Sequence, residues 1–439
     1  MGLDTDRPYL GNPVRMRLDY RLVLIACVSA CAPLLPDAPV LARAEPAPLR
    51  AATVPAPVAA AQERPWSSDA AGFEGWKQGF LDRKGGARRQ AYARQLDGLS
   101  PDPEVIRLDG NQPEFSRPAG AYIANAVSAG RIAEARRRLD AVPSGAVQRY
   151  GVPAEILVAI WGLESSFGQV QGSSDVIRSL ATLAFDGRRR DWAEDQLKNA
   201  LDIVVDGRRD RAGLLGSWAG AMGQTQFMPD NYLRLGVDQN GDGRVDIWGT
   251  DADALGSAAN LLSQAGWKRD QRWGYEVTLP PGFDYALAEG EGRPWSFWAH
   301  RGVSLARGGA PTSGEAAEGG VILLPQGARG PAFLALPNHY VIRRYNNSVS
   351  YALAIGLMAD GVAGRPGLVA AWPDDGPLSR EQRFGAQTAL ARLGYDPGAI
   401  DGVIGSGTRR ALRAWQVANG RVADGYLTAA LADELTTGR

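Results

Sequence analysis

Glu164 is the main candidate for acid–base chemistry, and it lies near the end of the segment VPAEILVAIWGLESSFG at residues 152–168. Apolar residues recur in this segment at helical spacing, which predicts one apolar stripe on a helix. They are Ile156, Ile160, Leu163 and Phe167. An apolar wall and the negative end of a helix dipole both disfavour a charged carboxylate. We therefore expect Glu164 to keep its proton and act as a general acid, unless it simply faces water at a helix end.

A second stretch that could contact a sugar is GSWAGAMGQTQFMP, at residues 216–229. Gly220 and Gly223 permit close approach of the backbone. Gln224 and Gln226 place amides beside them, and an amide both donates to and accepts from N-acetyl and hydroxyl groups. A tight turn that opens a helix would also explain this stretch.

The segment VDQNGDGRVDIW, at residues 237–248, resembles the start of a calcium loop. Oxygen-bearing side chains occupy alternate positions, namely Asp238, Asn240 and Asp242. An EF-hand closes with Glu at its twelfth position, where this chain has Gly249, so a closing carboxylate must come from Asp251 or Asp253. We expect a structural Ca²⁺ or Na⁺ here; the alternative is a metal-free Asn-Gly/Asp-Gly turn.

Composition excludes several other kinds of chemistry. The chain has 439 residues, 48 Lys plus Arg and 48 Asp plus Glu, so no net field would attract nucleic acid. Its only cysteines, Cys27 and Cys31, lie near the N-terminus, which leaves no Cys nucleophile or Cys-ligated zinc in the body. Two histidines, His300 and His339, are too few for a multi-His zinc hydrolase, and nothing marks either as part of a triad.

The N-terminal residues predict export. Residues 1–44 contain an apolar run too short to span a bilayer, followed by Ala42-Arg43-Ala44, which fits a signal-peptide cleavage site. Val28-Ser29-Ala30 before Cys31 equally fits a lipoprotein signal, so a soluble periplasmic protein and an outer-membrane lipoprotein both stay open. Residues 45–68 are rich in Ala and Pro and read as a linker.

The secondary structure predicted around these residues is mostly helical. Amphipathic patterns predict helices through most of residues 69–360. Three stretches read as strands between Gly/Pro turns: WGYEVTLP, GGVILLPQG and PAFLALPNHYVIRRYN. Residues 361–378 read as a linker and residues 379–436 as a small separate helical module. The predicted fold class is mainly α (α+β), with a helical catalytic domain, a small β-rich insertion and a C-terminal three-helix module.

Several motifs in one order resemble the membrane-bound lytic murein transglycosylase B family across residues 69–360. They are ILVAIWGLESSFG, GAMGQTQFMP, the acidic loop and HYVIRRYNNSVSYA. The tail resembles a peptidoglycan-binding module through LGYDPGAIDGVIGSGTRRALRAWQVANG. The resemblance implies a lysozyme-like fold and cleavage of peptidoglycan between N-acetylmuramic acid and N-acetylglucosamine, with formation of 1,6-anhydromuramoyl ends. It implies peptidoglycan strands as the partner and leaves other cell-wall enzymes as candidates; membrane contact would come only through a lipid anchor at Cys31.

The resemblance also assigns roles to residues. Glu164 matches the catalytic acid, and the matched glycan-contacting residues are Gln226, Ser217, Tyr122, Tyr340 and Tyr345. The matched cation ligands are Asp238, Asn240, Asp242, Asp253 and the carbonyl of Arg244. The family usually has an aromatic residue after the Asn of the helix that follows the acidic loop, whereas in this chain Leu261 follows Asn260.

Most glycosidases use two carboxylates, yet no second one is fixed beside Glu164 by the sequence, and Asp175 is the nearest candidate. One glutamate suffices if the sugar's N-acetyl and 6-hydroxyl groups complete the reaction without water. A hydrolytic muramidase that uses water and a non-catalytic peptidoglycan-binding scaffold are the alternatives.

Overall fold

Helices build most of the chain in the computed structural model, which describes residues 70–109 and 117–438. The predicted signal segment, the Ala/Pro linker and Cys31 lie outside the described residues. The helices before the sheet are α1 (Ala70–Lys84), α2 (Arg89–Leu96), α3 (Pro103–Asp109), α4 (Ala119–Ala126), α5 (Ala129–Arg137), α6 (Ser144–Tyr150), α7 (Ala154–Ser165), α8 (Val176–Asp186), α9 (Arg190–Val205), α10 (Pro229–Leu235) and α11 (Asp251–Gln264). A short antiparallel pair, β1 (Ser174–Asp175) and β2 (Leu215–Gly216), lies among them.

Helix α7 is the centre of the main core. It is buried from Ile156 to Ser165, so the predicted stripe is in fact a helix enclosed on all sides. The helix begins at Ala154, and Pro153 is its N-cap in extended backbone. It ends three residues before Gly168, because Ser166, Phe167 and Gly168 all adopt positive φ.

The strand-rich part forms a four-stranded antiparallel sheet within the described residues, in the order β4-β3-β6-β5. Its strands are β3 (Gly274–Thr278), β4 (Ser304–Leu305), β5 (Val321–Leu323) and β6 (Ala332–Ala335), and the short helices α12 (Trp295–Ala299) and α13 (Ser313–Glu318) lie between them. Central register pairs Tyr275 with Leu334 and Ile322 with Leu334. A second apolar cluster packs on this sheet around the buried Trp298.

One strand prediction was wrong over half its length. Of residues 331–346, only β6 is a strand, and the rest forms helix α14 (Pro337–Tyr345). Pro337 occupies the first turn, where its missing N–H costs nothing, and the buried Val341, Ile342 and Tyr345 follow a helical period. Helix α15 (Val349–Val362) comes next and packs along α7.

The tail contains three helices within residues 379–438: α16 (Arg380–Arg392), α17 (Ser406–Ala418) and α18 (Ala429–Thr437). Ser379 and Gln382 form a capping box at the start of α16, and the three helices enclose their own apolar cluster. In the part of the chain that the structure describes, no helix is both long and apolar enough to cross a membrane.

Candidate active site

Glu164 lies in the last turn of α7 with only 6% of its surface exposed. Its Oε1 accepts a 2.6 Å hydrogen bond from the hydroxyl of Tyr351, which is itself 1% exposed on α15. The carboxyl group is therefore buried, and a neutral hydroxyl donor orients it. A buried carboxyl with a fixed direction is the arrangement that a general acid needs.

The segment 216–229 is bonded directly to the end of α7. Ser165 Oγ donates to the backbone carbonyl of Gln224 at 2.5 Å, and Trp161 Nε1 donates to the side-chain oxygen of Gln224 at 2.8 Å. Gly223 has a φ of +70°, and a Cβ there would lie 2.7 Å from the carbonyl oxygen of Ile247. Glycine is thus required for this loop to approach so closely.

Gln226 and Ser217 both lie in this loop and are nearly buried. Gln226 has a φ of +51°, and its amide nitrogen donates to the carbonyls of Gln171 and Gly223 at 3.0 and 2.8 Å. Ser217 Oγ accepts from the backbone N–H of Ala221 at 3.0 Å. These bonds fix the orientation of both side chains without a ligand.

The three tyrosines expected around the groove differ in their surroundings. Tyr345 donates to the carbonyl of Thr225 at 2.5 Å, which joins α14 to the same loop. Tyr122 is buried on α4. Arg131 is close enough to Tyr122 to interact with it electrostatically, and its guanidinium donates to the carbonyl of Gly162 on α7 at 2.7 Å.

Tyr340 lies with a different set of neighbours. Its ring meets His339 edge to face, and the guanidinium of Arg343 lies 5.7 Å from its centre. Burial raises the pKa of Tyr340, and burial lowers the pKa of His339 to about 3, so His339 is a neutral core residue. The loop 216–229 thus links Gln226, Ser217 and Tyr345 to the end of α7, which carries Glu164. Tyr340 lies beside His339 on α14.

Sequence reasoning missed Tyr351 as a functional residue. Its neighbours in α15 are almost all apolar, so it reads as one more core position. The motif HYVIRRYNNSVSYA did contain a clue to this role. Of its residues that lie in α15, Tyr351 is the one that carries a hydroxyl and is buried.

Asp175, the second carboxylate considered above, caps the start of α8. Its Oδ1 accepts from the backbone N–H of Arg178 as the N-cap of α8, and its Oδ2 pairs with Arg211 at 2.5 Å. Both oxygens of this carboxylate are thus engaged by a helix cap and an ion pair, which gives Asp175 a structural role.

The acidic loop folds around its own backbone amides. Asp238 accepts from the N–H groups of Gly241, Asp242 and Gly243, and Asn240 Nδ2 donates to Asp242 Oδ2 at 3.1 Å. Asp253 is fully buried in the first turn of α11, where its two oxygens accept from Gln239, Asn240 and Asp246. Among the described residues, no group of three or more His, Cys, Asp or Glu side chains is assembled around a common metal position.

The family comparison assigns the two parts of the chain. The Transglycosylase SLT domain family matches residues 72–360, and the Putative peptidoglycan binding domain family matches residues 379–435. Membrane-bound lytic murein transglycosylase B of Escherichia coli (strain K12) is 36% identical over 313 residues, which is 65% of this chain and 82% of that protein.

Solved structures agree with this assignment. SltB3 from Pseudomonas aeruginosa, solved in complex with NAG-anhNAM-pentapeptide, has a TM-score of 0.77 and 47% identity, covering 83% of this chain and 99% of that one. The Escherichia coli lytic transglycosylase Slt35, solved with calcium, has a TM-score of 0.57 and 30% identity, covering 65% of this chain and 92% of that one. The mainly helical, lysozyme-like fold class and the enzyme class expected from the sequence are confirmed. The chain belongs to the lytic transglycosylases of the SLT domain family.

Proposed function

We propose that this protein cleaves the β-1,4 bond between N-acetylmuramic acid and N-acetylglucosamine in peptidoglycan, leaves a 1,6-anhydromuramoyl end, and uses Glu164 as its acid and base. The buried Glu164 carboxyl, directed by Tyr351 at 2.6 Å, is the observation that carries this proposal. Family membership supports the reaction class, and the anhydro sugar bound to the Pseudomonas SltB3 supports the product.

The reaction needs only one carboxyl group. Glu164 gives its proton to the bridging oxygen as the C1–O bond breaks, and the N-acetyl oxygen of the muramoyl residue stabilises the cationic C1. The Glu164 carboxylate then takes the proton of the 6-hydroxyl, whose oxygen attacks C1 and closes the anhydro ring. The proton returns to Glu164, and no water is consumed. The commitment of Asp175 to Arg211 favours this path over a two-carboxylate hydrolysis.

We assign glycan contact to Gln226, Ser217 and the tyrosines Tyr122, Tyr340 and Tyr345. The amide nitrogen of Gln226 is held by two backbone carbonyls, so its oxygen has a defined direction in which to accept from a sugar N–H or O–H group. Of the tyrosines, Tyr345 has the firmest support, because its bond to Thr225 joins it to the loop beside Glu164.

The experiment that tests Glu164 is digestion of isolated sacculi with wild-type protein and E164Q, followed by mass analysis of released muropeptides. We expect wild type to release anhydro ends and E164Q to bind sacculi without turnover. The control E155Q, at the opposite end of α7, should keep wild-type turnover. Equal turnover in E164Q would refute the assignment, and reducing ends in the wild-type digest would support the hydrolytic alternative.

We also propose that the acidic loop binds Ca²⁺ through Asp238, Asn240, Asp242 and the carbonyl of Arg244. These are hard oxygen donors of the kind that Ca²⁺ prefers, and the contact of Asn240 with Asp242 brings two of them together. Asp253, which the resemblance implies as the final ligand, completes the proposed set, and its oxygens also accept from the backbone of Gln239, Asn240 and Asp246. The ion would stabilise the fold and would take no part in the reaction.

Calcium should raise the melting temperature of wild type in a metal-free buffer. D238N/D242N should lose that shift, because it removes the formal charges of two of the three proposed carboxylate ligands. A wild-type melting temperature that is unchanged at millimolar Ca²⁺ would contradict the proposal.

We make two further proposals, one on the domain boundaries and one on the cellular location of the protein. We propose residues 69–360 as the catalytic domain and residues 379–436 as the peptidoglycan-binding domain, joined by residues 361–378. The matched families support this division. We propose export to the periplasm through residues 1–44; labelling of Cys31 with a radioactive fatty acid would distinguish a lipoprotein from a soluble protein.

A further inference from the structure

Gln224 lies in the glycan-contacting loop, but its side chain is turned into the protein. It is 3% exposed, and its backbone and side chain each use both a donor and an acceptor. The backbone N–H donates to Ile247 and the backbone carbonyl accepts from Ser165. The side-chain oxygen accepts from Trp161 at 2.8 Å, and the side-chain nitrogen donates to Asp251 at 2.9 Å.

The side chain of Gln224 forms a bridge between two helices. One of them is α7, which carries Glu164. Trp161 precedes Glu164 by three residues, so the two side chains occupy neighbouring positions on α7. Trp161 is 1% exposed and packs edge to face with Phe167 just beyond the helix end. Ser165, the residue after Glu164, is bonded to the same Gln224.

The other end of the bridge is the start of α11. Asp251 is the first residue of that helix, and Asp253 in the same turn clamps the acidic loop. The absence of a side chain at Gly168 leaves room for this amide, because a Cβ there would lie 2.5 Å from the side-chain oxygen of Gln224. Two elements distant in sequence, α7 and α11, are therefore joined by one buried amide.

We propose that Gln224 is a positioning residue that acts with Asp251 to fix the last turn of α7 and thereby the direction of the Glu164 carboxyl. Its side-chain amide contacts protein groups at both ends, so it differs in role from Gln226 two residues later. The proposal rests on the proposed role of Glu164. A small displacement of an acid from the bridging oxygen costs rate with little effect on substrate binding.

The test compares variants that break the bridge with variants that preserve it. Q224M keeps the length of the side chain but removes both of its hydrogen bonds, and D251A removes the acceptor. D251N retains an acceptor oxygen for the Gln224 amide and serves as the conservative rescue. Q196M is the matched control, because Gln196 is another buried glutamine, bonded to the backbone of Asp230 and without a bond to α7.

We expect Q224M and D251A to lower kcat on purified glycan strands about 10- to 100-fold with KM within about twofold of wild type. D251N and Q196M should keep kcat within about threefold. In a double-mutant cycle, Q224M should cost less in W161F than in wild type, since both variants remove the bond between Trp161 and Gln224. Hydrogen exchange of residues 162–168 should become faster in Q224M and D251A but not in Q196M.

Several outcomes would overturn the proposal: wild-type kcat in Q224M, an equal loss in D251N and D251A, or additive effects of Q224M and W161F. A wild-type protein that is inactive on glycan strands would instead refute the proposed function. Because the exchange measurement needs no turnover, it reports on the bridge even in that case.

Discussion

At the residue scale, the catalytic proposal depends on how one carboxyl group is held. The apolar spacing of residues 152–168 left both a buried Glu164 and a Glu164 facing water open, and the structure shows the buried one. The sequence did not predict the bond from Tyr351, because that residue is 187 positions away and only the packing of α15 on α7 brings it near. Contacts of this length have no local pattern.

Y351F should lower kcat about tenfold, because the carboxyl would lose the donor that fixes its direction and that stabilises the carboxylate after proton transfer. The measurement is initial release of anhydro-muropeptides, with the melting temperature recorded in parallel. Y92F is the matched control. Tyr92 on α2 is also buried, and its hydroxyl donates to the carboxylate of Asp202 at 2.6 Å. A similar loss of activity in Y92F would mean that general destabilisation, rather than the bond to Glu164, explains the effect.

At the element scale, the end of α7 and the strands mark where sequence reasoning succeeds and fails. Helix periods placed most helices correctly, including the three of the tail. The stretch 331–346 misled because β-branched and aromatic residues favour strands, while Pro337 in fact opens a helix. The end of α7 at Ser165 was equally hidden, since residues such as Ser166 and Phe167 rarely adopt positive φ. Here the N–H of Phe167 donates to the carbonyl of Trp161, and the two rings pack edge to face.

G168A should lower the free energy of unfolding by about 3 kcal/mol, because a φ of +81° disfavours alanine and the new Cβ would meet the hydrogen-bonded oxygen of Gln224. The control G364A has a similar φ of +77° with open space around its Cβ, and should cost only about 1 kcal/mol. Denaturant unfolding of both variants provides the comparison. Equal costs would contradict the close contact with Gln224.

At the scale of the whole molecule, the tail module docks on the strand-rich part of the catalytic body. Glu289 pairs with Arg409 and Arg413 of α17 at 2.6 Å, and all three side chains are at most 20% exposed. Asp424 accepts from the backbone N–H of Ala328 at 2.8 Å. The composition of residues 361–378 predicted a linker, but it gave no sign that Glu276 holds this segment through the amides of Val369 and Ala370.

E289Q should loosen the attachment of the module, because it removes the one negative charge that faces two partly buried arginines. Small-angle scattering should show a larger radius of gyration, and proteolysis within residues 363–378 should become faster. E434Q removes the pair of Glu434 with Arg421 inside the module and should change neither. An unchanged radius in E289Q would contradict the importance of this interface.

In the proposed reaction one buried carboxyl group acts without water, and isotope labelling distinguishes this path from hydrolysis. Sacculi are digested in water enriched in ¹⁸O, and the released muropeptides are weighed by mass spectrometry. We predict anhydromuramoyl ends with no ¹⁸O incorporated. Reducing muramoyl ends that carry one ¹⁸O atom would contradict the account.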